Sequence, residues 1–389
     1  MQRKFIMGLL LASTIYAGCK RANEPNPDVK YKTLNGLKPI VIGHRGAPGY
    51  QPEHTLASYS LGIQSGADFI EPDLVVTKDG FLICRHEPML SGTTNVSELP
   101  EFANKKSTKM VDGEKFEDWF ASDFTLAEIK KLKAKQSMAS RPKEFDNKYD
   151  IPTFEEVIGL VKAHNEKTGK TVGVYPETKH PTFHEKLGLP ITDKLLSALI
   201  KANWNDKNSP VFVQSFEVSN LMYLRKKSSV KIVQLYDAYD VDKSGKLTME
   251  APNGQPFDFV ESGDPRTYND LTKNEGLEFV KQYADGIGPW KPFIQPYTFT
   301  DTNNDGKADD INGDGSVNTA DFSLLPATDL IERAHKKGLF VHAYTFRNES
   351  SRLLSDYKND PKAEYKHFYK LGVDGVFSDF PETAVMANE

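Results

Sequence analysis

Short apolar runs rich in β-forming residues alternate with segments of helical period along most of the chain. Eight such runs occur, at 39–43, 69–74, 172–175, 211–214, 232–235, 285–288, 340–344 and 375–377. Their nearly continuous apolar character is typical of parallel strands buried on both faces of a sheet. Because eight strands close a barrel, the pattern predicts an α/β fold of the (β/α)8 TIM barrel type. An open doubly wound sheet is the alternative.

Helical periodicity lies between most of these runs, at 55–65, 154–165, 193–201, 218–226, 327–337 and 364–371. Three polar stretches interrupt the alternation, at about 87–150, 238–274 and 295–322. We interpret them as insertions on the loops of one barrel that spans 37–389, the first being a subdomain after the second strand. Within it, a Thr-x-x-Glu capping box at Thr125 predicts a helix over 125–135.

The N-terminus has the pattern of an export signal. Positive Arg3 and Lys4 precede an apolar run at 5–16, which is too short to span a bilayer. Ala17-Gly18-Cys19 then resembles the lipobox of bacterial lipoproteins, although Tyr16 stands where that motif usually has leucine. We predict a signal peptide at 1–18, lipidation at Cys19 and a polar tether at 19–36. Export as a bacterial periplasmic or cell-surface lipoprotein is expected, with secretion without a lipid as the alternative.

The composition limits the partners. The formal net charge is -5, so the chain has no basic footprint for nucleic acid. We expect contact with a membrane only through the N-terminal lipid. Cys84 would be the one cysteine left in the folded part, and its strand context suggests a small buried hydrophobe.

Chemistry-bearing residues follow the first three predicted strands. His44 and Arg45 end the first strand, and an adjacent His and Arg can move a proton and hold a phosphate oxygen. Glu71 and Asp73 end the second, where residues two apart point to the same side. Converging carboxylates repel each other unless a cation joins them, so this pair predicts a metal site.

Further residues add to this convergence. His86 follows the apolar run at 81–84. Glu177 and Lys179 end the third strand and, being two residues apart, point to the same side of it. Each alone has a structural explanation, such as a turn cap or an ion pair. Because the carboxyl ends of barrel strands face one active site, the whole set predicts a single catalytic centre.

As an ordered set these motifs resemble the glycerophosphodiester phosphodiesterases, especially the larger periplasmic type. The similarity continues through 284–289, 341–345 and 375–381. It implies metal ligation by Glu71, Asp73 and Glu177, commonly of Ca²⁺, with Mg²⁺ possible. It also implies acid–base roles for His44 and His86, and hydrolysis of glycerophosphodiesters to glycerol 3-phosphate and an alcohol.

Other roles follow as hypotheses. Arg45 and Lys179 would neutralise the phosphate oxygens. Which histidine is the base, and whether water or a glycerol hydroxyl attacks phosphorus, stay open. Gln214 and Tyr344 are candidates for binding the glycerol hydroxyls, with core packing as an equal explanation, and Trp290 is a candidate for a wall of the pocket. Asp379 is either a partner of a catalytic side chain or a turn cap.

An Asp-rich stretch in the third insertion resembles an EF-hand or dockerin-type calcium loop. Oxygen ligands occupy loop positions 1, 3, 5, 9 and 12 in Asp310, Asn312, Asp314, Asn318 and Asp321, and Ser316 at position 7 can give its carbonyl. A second candidate precedes it, with Asp301, Asn303, Asp305 and Asp309. A weaker third match begins at Asp240 with its register off by one. These loops predict additional structural Ca²⁺.

Two kinds of alternative function remain open. One is another phosphodiesterase of similar architecture, either phospholipase D-like or acting on teichoic acid, and a lipid substrate would require an apolar groove beside the metal. The other is an inactive calcium-binding surface lipoprotein. An inactive barrel would have no reason to keep two histidines beside three carboxylates, which favours an enzyme that binds a small-molecule substrate.

Overall fold

The computed structural model describes residues 31–389, and its main sheet closes into a parallel barrel. In chain order the strands are β1 Ile40–His44, β2 Phe69–Glu71 continued by Asp73–Val76, β3 Gly173–Val174 continued by Glu177–Thr178, β4 Phe212–Ser215, β5 Lys231–Tyr236, β6 Gly286–Pro289, β7 Phe340–Phe346 and β8 Gly375–Ser378. The barrel closes where β8 pairs with β1, with Ile40 opposite Gly375. The predicted (β/α)8 barrel is confirmed.

β2 and β3 are each interrupted by a proline. Pro72 and Pro176 have no N–H to donate to the sheet, so the ladder breaks at both positions. Their carbonyls still accept bonds, from the Glu177 and Gln214 amides at 3.0 Å each. Both interruptions lie beside the acidic residues that were predicted to converge, Glu71 and Asp73 in β2 and Glu177 in β3.

Helices cover the outside of the barrel, and their apolar faces form the main core against the strands. The α-helices are Leu56–Gln64, Leu126–Ile129, Phe154–Thr168, Pro181–Lys186, Ile191–Lys201, Val218–Lys227, Phe257–Ser262, Tyr268–Leu271, Asn274–Lys281, Leu330–Lys336, Pro361–Leu371 and Pro381–Ala387. A smaller cluster fills the barrel interior with Ile42, Tyr175, Phe212, Val233 and Phe377. Cys84 is buried and unpaired, as its strand context suggested.

Residues 87–150 have an apolar cluster of their own. It is built on Val75 and Ile83, the latter in strand Leu82–Cys84, which pairs antiparallel with the end of β2. A hairpin of Ser107–Val111 and Glu114–Asp118 projects from it. The prediction of a helix over 125–135 is wrong: the capping box is present, but the helix Leu126–Ile129 ends at Lys130. The following residues instead form bridges to the loops around them, and Leu132 and Ala134 enter the cluster.

The other two Asp-rich stretches lie after β5 and β6. The first contains a hairpin of Asp240–Val241 and Leu247–Thr248 and then three helices, the last being Asn274–Lys281, which the periodicity did not predict. The second contains a hairpin of Tyr297–Phe299 and Phe322–Leu324. Short 3-10 helices occur at Val96–Glu98, Pro100–Lys105, Ala121–Asp123, Lys291–Phe293, Thr319–Asp321, Ser350–Arg352 and Ser355–Tyr357. Within residues 31–389, no helix combines the length and apolarity needed to cross a membrane.

Candidate active site

Three buried carboxylates meet at the carboxyl ends of β2 and β3. One oxygen from each of Glu71, Asp73 and Glu177 lies within 4.8 Å of the other two. Register places them together, because Asp73 is opposite Glu177 in the sheet while Glu71 is opposite His44 of β1. The side chains predicted from strand parity therefore do converge.

The protonation of this triad fits a cation. Burial and the neighbouring Asp73 raise the pKa of Glu71 well above its usual range. Burial likewise raises the pKa of Glu177 to about 8, against the opposing effect of Lys179. Burial opposes ionisation of Asp73 too, but contact with His54 holds its pKa well below the usual range. Three close carboxylates cannot all ionise alone, and a divalent cation would let them do so.

One atom of the triad has no protein partner. Asp73 Oδ1 is buried without a hydrogen bond, whereas Asp73 Oδ2 lies 2.9 Å from His54 Nε2. Glu71 is fixed on both oxygens, by the Arg45 amide at 2.8 Å and the Gln214 side-chain amide at 3.1 Å. Partners of this kind orient metal ligands. Buried polar atoms almost always find a partner, so the residues fit a bound divalent cation.

His44 is paired with a buried carboxylate. Its Nδ1 lies 2.5 Å from Asp379 Oδ1, while Asp379 Oδ2 accepts bonds from Arg141 at 2.5 Å and Arg347 at 2.9 Å. Ser378, not Asp379, caps the next turn through its hydroxyl. Asp379 is thus a partner of His44. Burial and Arg45 lower the pKa of His44 to about 4, although Asp379 acts in the opposite direction.

His86 is also paired with a carboxylate, at a more exposed position than His44. Its Nδ1 lies 2.7 Å from Glu87 Oε1, and Glu87 Oε2 lies 2.9 Å from His180 Nε2. His180 Nδ1 continues the chain to Asp112 at 2.6 Å. Burial disfavours the charged form of His180, but its two carboxylate partners raise its pKa to about 10. A protonated His180 therefore holds Glu87 in place against His86.

The two predicted phosphate-binding cations border the triad. Lys179 Nζ lies 3.0 Å from Glu177 Oε1 and 3.4 Å from His86 Nε2. Arg45 donates to both Glu53 oxygens and has a positive φ of 54°. The turn that holds it also needs Gly46, whose φ is 98° and where a Cβ would meet Ser58 atoms at 2.4–2.8 Å.

The carboxylate triad, both histidines, Arg45 and Lys179 line one cavity of about 400 Å³, a size within the usual range for small-ligand sites. Gln214, Trp290 and Tyr344 also line it. The amide of Gln214 is engaged with Glu71, and the Tyr344 hydroxyl donates to the Tyr236 carbonyl at 2.7 Å. The loop after β5 also contributes Asn253, Gln255 and Phe257 to the lining.

The chain matches the model of the glycerophosphoryl diester phosphodiesterase family over residues 44–383. It is 34% identical to a glycerophosphodiester phosphodiesterase of Arabidopsis thaliana, with 98% of this chain and 95% of the relative covered. Identity is 30% to a glycerophosphodiester phosphodiesterase of Haemophilus influenzae, covering 99% and 98%. The chain belongs to this family. It is therefore an enzyme that hydrolyses glycerophosphodiesters, of a family that is in general metal-dependent.

Solved structures share the fold of this phosphodiesterase. A crystal structure of a putative glycerophosphoryl diester phosphodiesterase from Silicibacter pomeroyi has a TM-score of 0.56 and 17% identity, covering 92% of this chain and 97% of that one. An Oleispira antarctica phosphodiesterase, in complex with the product sn-glycerol-3-phosphate, has a TM-score of 0.54 and 19% identity, covering 91% and 98%.

The Asp-rich loops of the phosphodiesterase are closed by their own backbone. Asp310 accepts bonds from the Gly313 and Gly315 amides, each at 2.8 Å. Asp321 accepts from three amides, including that of Asn318 at 2.9 Å. Asp301 accepts from the amides of residues 305 and 306, and Asp309 from the amide and hydroxyl of residue 302.

Many of the predicted calcium ligands in these loops lie at the protein surface. Asn303, Asp305, Asn312, Asp314 and Ser316 are exposed. Of the residues described, only Glu71, Asp73 and Glu177 form a group of three acidic, His or Cys side chains within 4.8 Å. Calcium binding by the loops stays a prediction.

Several residues at the site were not predicted. His54 has a positive φ of 55° and lies within hydrogen-bond distance of Asp73. Its place in the loop between the first strand and helix Leu56–Gln64 was the one sequence signal for a residue near the site. Glu87 directly follows His86, so adjacency could have suggested it. Asp112, Arg141 and Arg347 are distant in sequence from the histidines that they support, and no local pattern indicates them.

Proposed function

We propose that this enzyme cleaves glycerophosphodiesters to glycerol 3-phosphate and an alcohol with a divalent cation held by Glu71, Asp73 and Glu177. Ca²⁺ is the cation proposed first, with Mg²⁺ as the alternative. The observation that carries the proposal is the buried carboxylate triad, which lies in one cavity with two carboxylate-bound histidines. The product in the Oleispira antarctica structure supports glycerol 3-phosphate as the product here.

Charge neutralisation is the main task of the residues around the phosphate. When bound, the cation would act as a Lewis acid toward the phosphate oxygens. Lys179, 3.0 Å from Glu177, would donate to a neighbouring phosphate oxygen. Arg45 would hold the other side, since its guanidinium lines the same cavity. Because these donors are fixed by buried partners before substrate arrives, they can stabilise charge that develops in the transition state.

His44 and His86 would act as the acid–base pair. A carboxylate at Nδ1 fixes each ring, so that Nε2 can take or give a proton, and at His86 this atom lies 3.4 Å from Lys179 Nζ. One histidine would deprotonate the nucleophile, which is water or the neighbouring glycerol hydroxyl. The other would protonate the leaving alcohol oxygen. Replacing either with Ala is expected to reduce turnover on the order of a hundredfold or more.

The test is release of glycerol 3-phosphate from glycerophosphocholine and glycerophosphoethanolamine, measured with Ca²⁺, with Mg²⁺ and with EDTA. Glu71→Gln keeps the shape of the side chain and is expected to abolish cation-dependent release. Asp258→Asn is the matched control, because that buried carboxylate caps helix Val218–Lys227 and is not a lining residue of the cavity. Release that EDTA does not reduce would refute the metal-dependent mechanism.

Two expectations outside the catalytic centre are also proposed. Binding of structural Ca²⁺ by the loop from Asp310 to Asp321 would brace the long connection after β6. Export and acylation of Cys19 concern residues 1–30, which lie outside the described part of the chain. Incorporation of labelled fatty acid into the full-length chain, but not into Cys19→Ala, would support the anchor, and equal labelling would refute it.

A further inference from the structure

A second, smaller cavity adjoins the catalytic one. It lies between the loops that follow β6 and β7, and it has a volume of about 120 Å³. Trp290, Thr345 and Arg347 line both cavities. Arg347 also bonds the carboxylate that holds His44, so the two cavities meet on the His44 side of the site.

Two residues that line this cavity each have a buried polar atom with no hydrogen-bond partner among the described residues. The two atoms are Glu364 Oε2 and the Tyr357 hydroxyl, in side chains that are 3% and 5% exposed. The other Glu364 oxygen is satisfied by Lys291 Nζ at 2.5 Å. An acceptor and a hydroxyl that are both buried and unpaired match a ligand that brings hydroxyl groups of its own.

Charge in the cavity argues against a cationic ligand. Lys291, Arg347 and Arg352 line it, and Glu364 is the one carboxylate among the lining residues. Lys291 already neutralises that carboxylate and Arg347 is paired with Asp379, which leaves Arg352 without an ion-pair partner among the described residues. An ammonium group would therefore meet positive charge. A neutral group avoids this repulsion.

Size restricts the ligand further. A water molecule occupies about 30 Å³ in the liquid, so the cavity holds a group of only a few heavy atoms. Trp290 and Tyr297 provide apolar walls for a short carbon skeleton.

We propose that this cavity binds the alcohol part of the diester that leaves the phosphate, and that it selects a small neutral polyol such as glycerol. The inference rests on the proposed function, because the leaving alcohol exists only if a diester is cleaved beside it. Tyr357 and Glu364 would be specificity-determining residues that contact this alcohol.

The experiment compares kcat/KM for glycerophosphoglycerol, glycerophosphocholine and glycerophosphoethanolamine in the wild-type enzyme and in Tyr357→Phe. The variant removes only an oxygen that has no partner, so folding should be unaffected. Loss of one neutral hydrogen bond predicts a kcat/KM about three- to tenfold lower for glycerophosphoglycerol. The values for the two ammonium-bearing substrates should stay within about twofold. Tyr369→Phe is the control, because its hydroxyl bonds the Ala384 carbonyl outside the cavity.

Each other outcome has a defined meaning. An equal loss on all three substrates would overturn the proposal, because the cavity would then hold the retained glycerol. No loss on glycerophosphoglycerol would overturn it as well. If the wild-type enzyme released glycerol 3-phosphate from none of the three, the proposed function would fail and this inference with it.

Discussion

Asp379→Asn tests whether the position of His44 depends on a buried charge. The Asp379 side chain is 2% exposed and has three partners: His44 Nδ1, Arg141 and Arg347. Asparagine keeps the size but offers one acceptor oxygen and one NH₂ group. If the oxygen faces His44, the NH₂ faces two guanidinium groups. If the NH₂ faces His44, the ring must carry its proton on Nε2, which can then no longer accept one.

The magnitude follows from these contacts. Hydrogen bonds to charged groups contribute about 1.5–3 kcal/mol each, and removing one partner of a buried ion pair costs about 3–5 kcal/mol. Since the amide retains part of the network, we expect the free energy of unfolding to fall by about 2–4 kcal/mol. Loss of the correct His44 tautomer should raise the activation barrier by about 3–4 kcal/mol, or roughly 10²–10³-fold in kcat. KM should change little, because Asp379 is not a lining residue of the catalytic cavity.

Release of glycerol 3-phosphate at saturating substrate gives kcat, and urea denaturation gives the stability. Glu349→Gln is the matched control: Glu349 also accepts from Arg141, at 2.7 Å, but has no contact with His44. It should lose some stability and retain turnover. A folded Asp379→Asn enzyme with near-normal kcat would refute the role of this carboxylate.

Three further predictions concern other parts of the molecule. Gln214→Met removes the amide that holds Glu71 and should weaken Ca²⁺ affinity by about 10–100-fold in calorimetry; a raised KM with unchanged affinity would instead make Gln214 a substrate ligand. The pKa of His180 is raised from 6.5 to about 10, so its stabilisation is complete below pH 6.5 and is lost as the pH rises towards 10. The difference in unfolding free energy between wild type and His180→Gln should therefore shrink between pH 6.5 and 9.5, and a constant difference would contradict this. Ca²⁺ bound to the loop of the third insertion would raise Tm, so Asp314→Ala should make the Ca²⁺-induced rise in Tm smaller. A rise equal to that of the wild type would exclude this loop as a calcium site.

The barrel could be predicted because each strand has a local signal. Runs such as 211–214 and 232–235 are apolar throughout, as burial on both faces requires, and the segments between them have helical period. Helix Asn274–Lys281 also buries residues at a helical spacing, namely Gly276, Leu277 and Val280. It was not predicted because the polar stretch before it gives no signal for the start of a helix. The segment 125–135 shows the opposite error. The capping box that starts the helix is formed by neighbouring residues and is present. The end of the helix is decided by the packing of Leu132 and Ala134 into a cluster whose other members are distant in sequence.

The centre of the site could be predicted for a similar reason. Glu71, Asp73 and Glu177 lie on strands that are adjacent in the barrel, so parity and strand order suffice to bring them together. The supporting contacts depend on pairs far apart in sequence. His44 and Asp379 are separated by 335 positions, and Arg141 and Asp379 by 238. Contacts of this range follow from the closed barrel and its loops, and a single sequence carries no sign of them.

The insertion at 87–150 takes part in both histidine pairs, which gives it a role beyond covering the barrel. Its Glu87 binds His86 and, with Asp112, holds His180, whereas its Arg141 binds Asp379 beside His44. The same segment anchors Glu53 through the Ser137 hydroxyl at 2.7 Å, and Glu53 in turn holds Arg45. The barrel strands thus supply the cation ligands, while the insertion fixes the groups that would move protons and bind phosphate. Changes in the insertion should therefore alter kcat and phosphate binding while leaving cation affinity nearly unchanged, since the hydrogen-bond and ion-pair partners of the carboxylate triad lie outside residues 87–150.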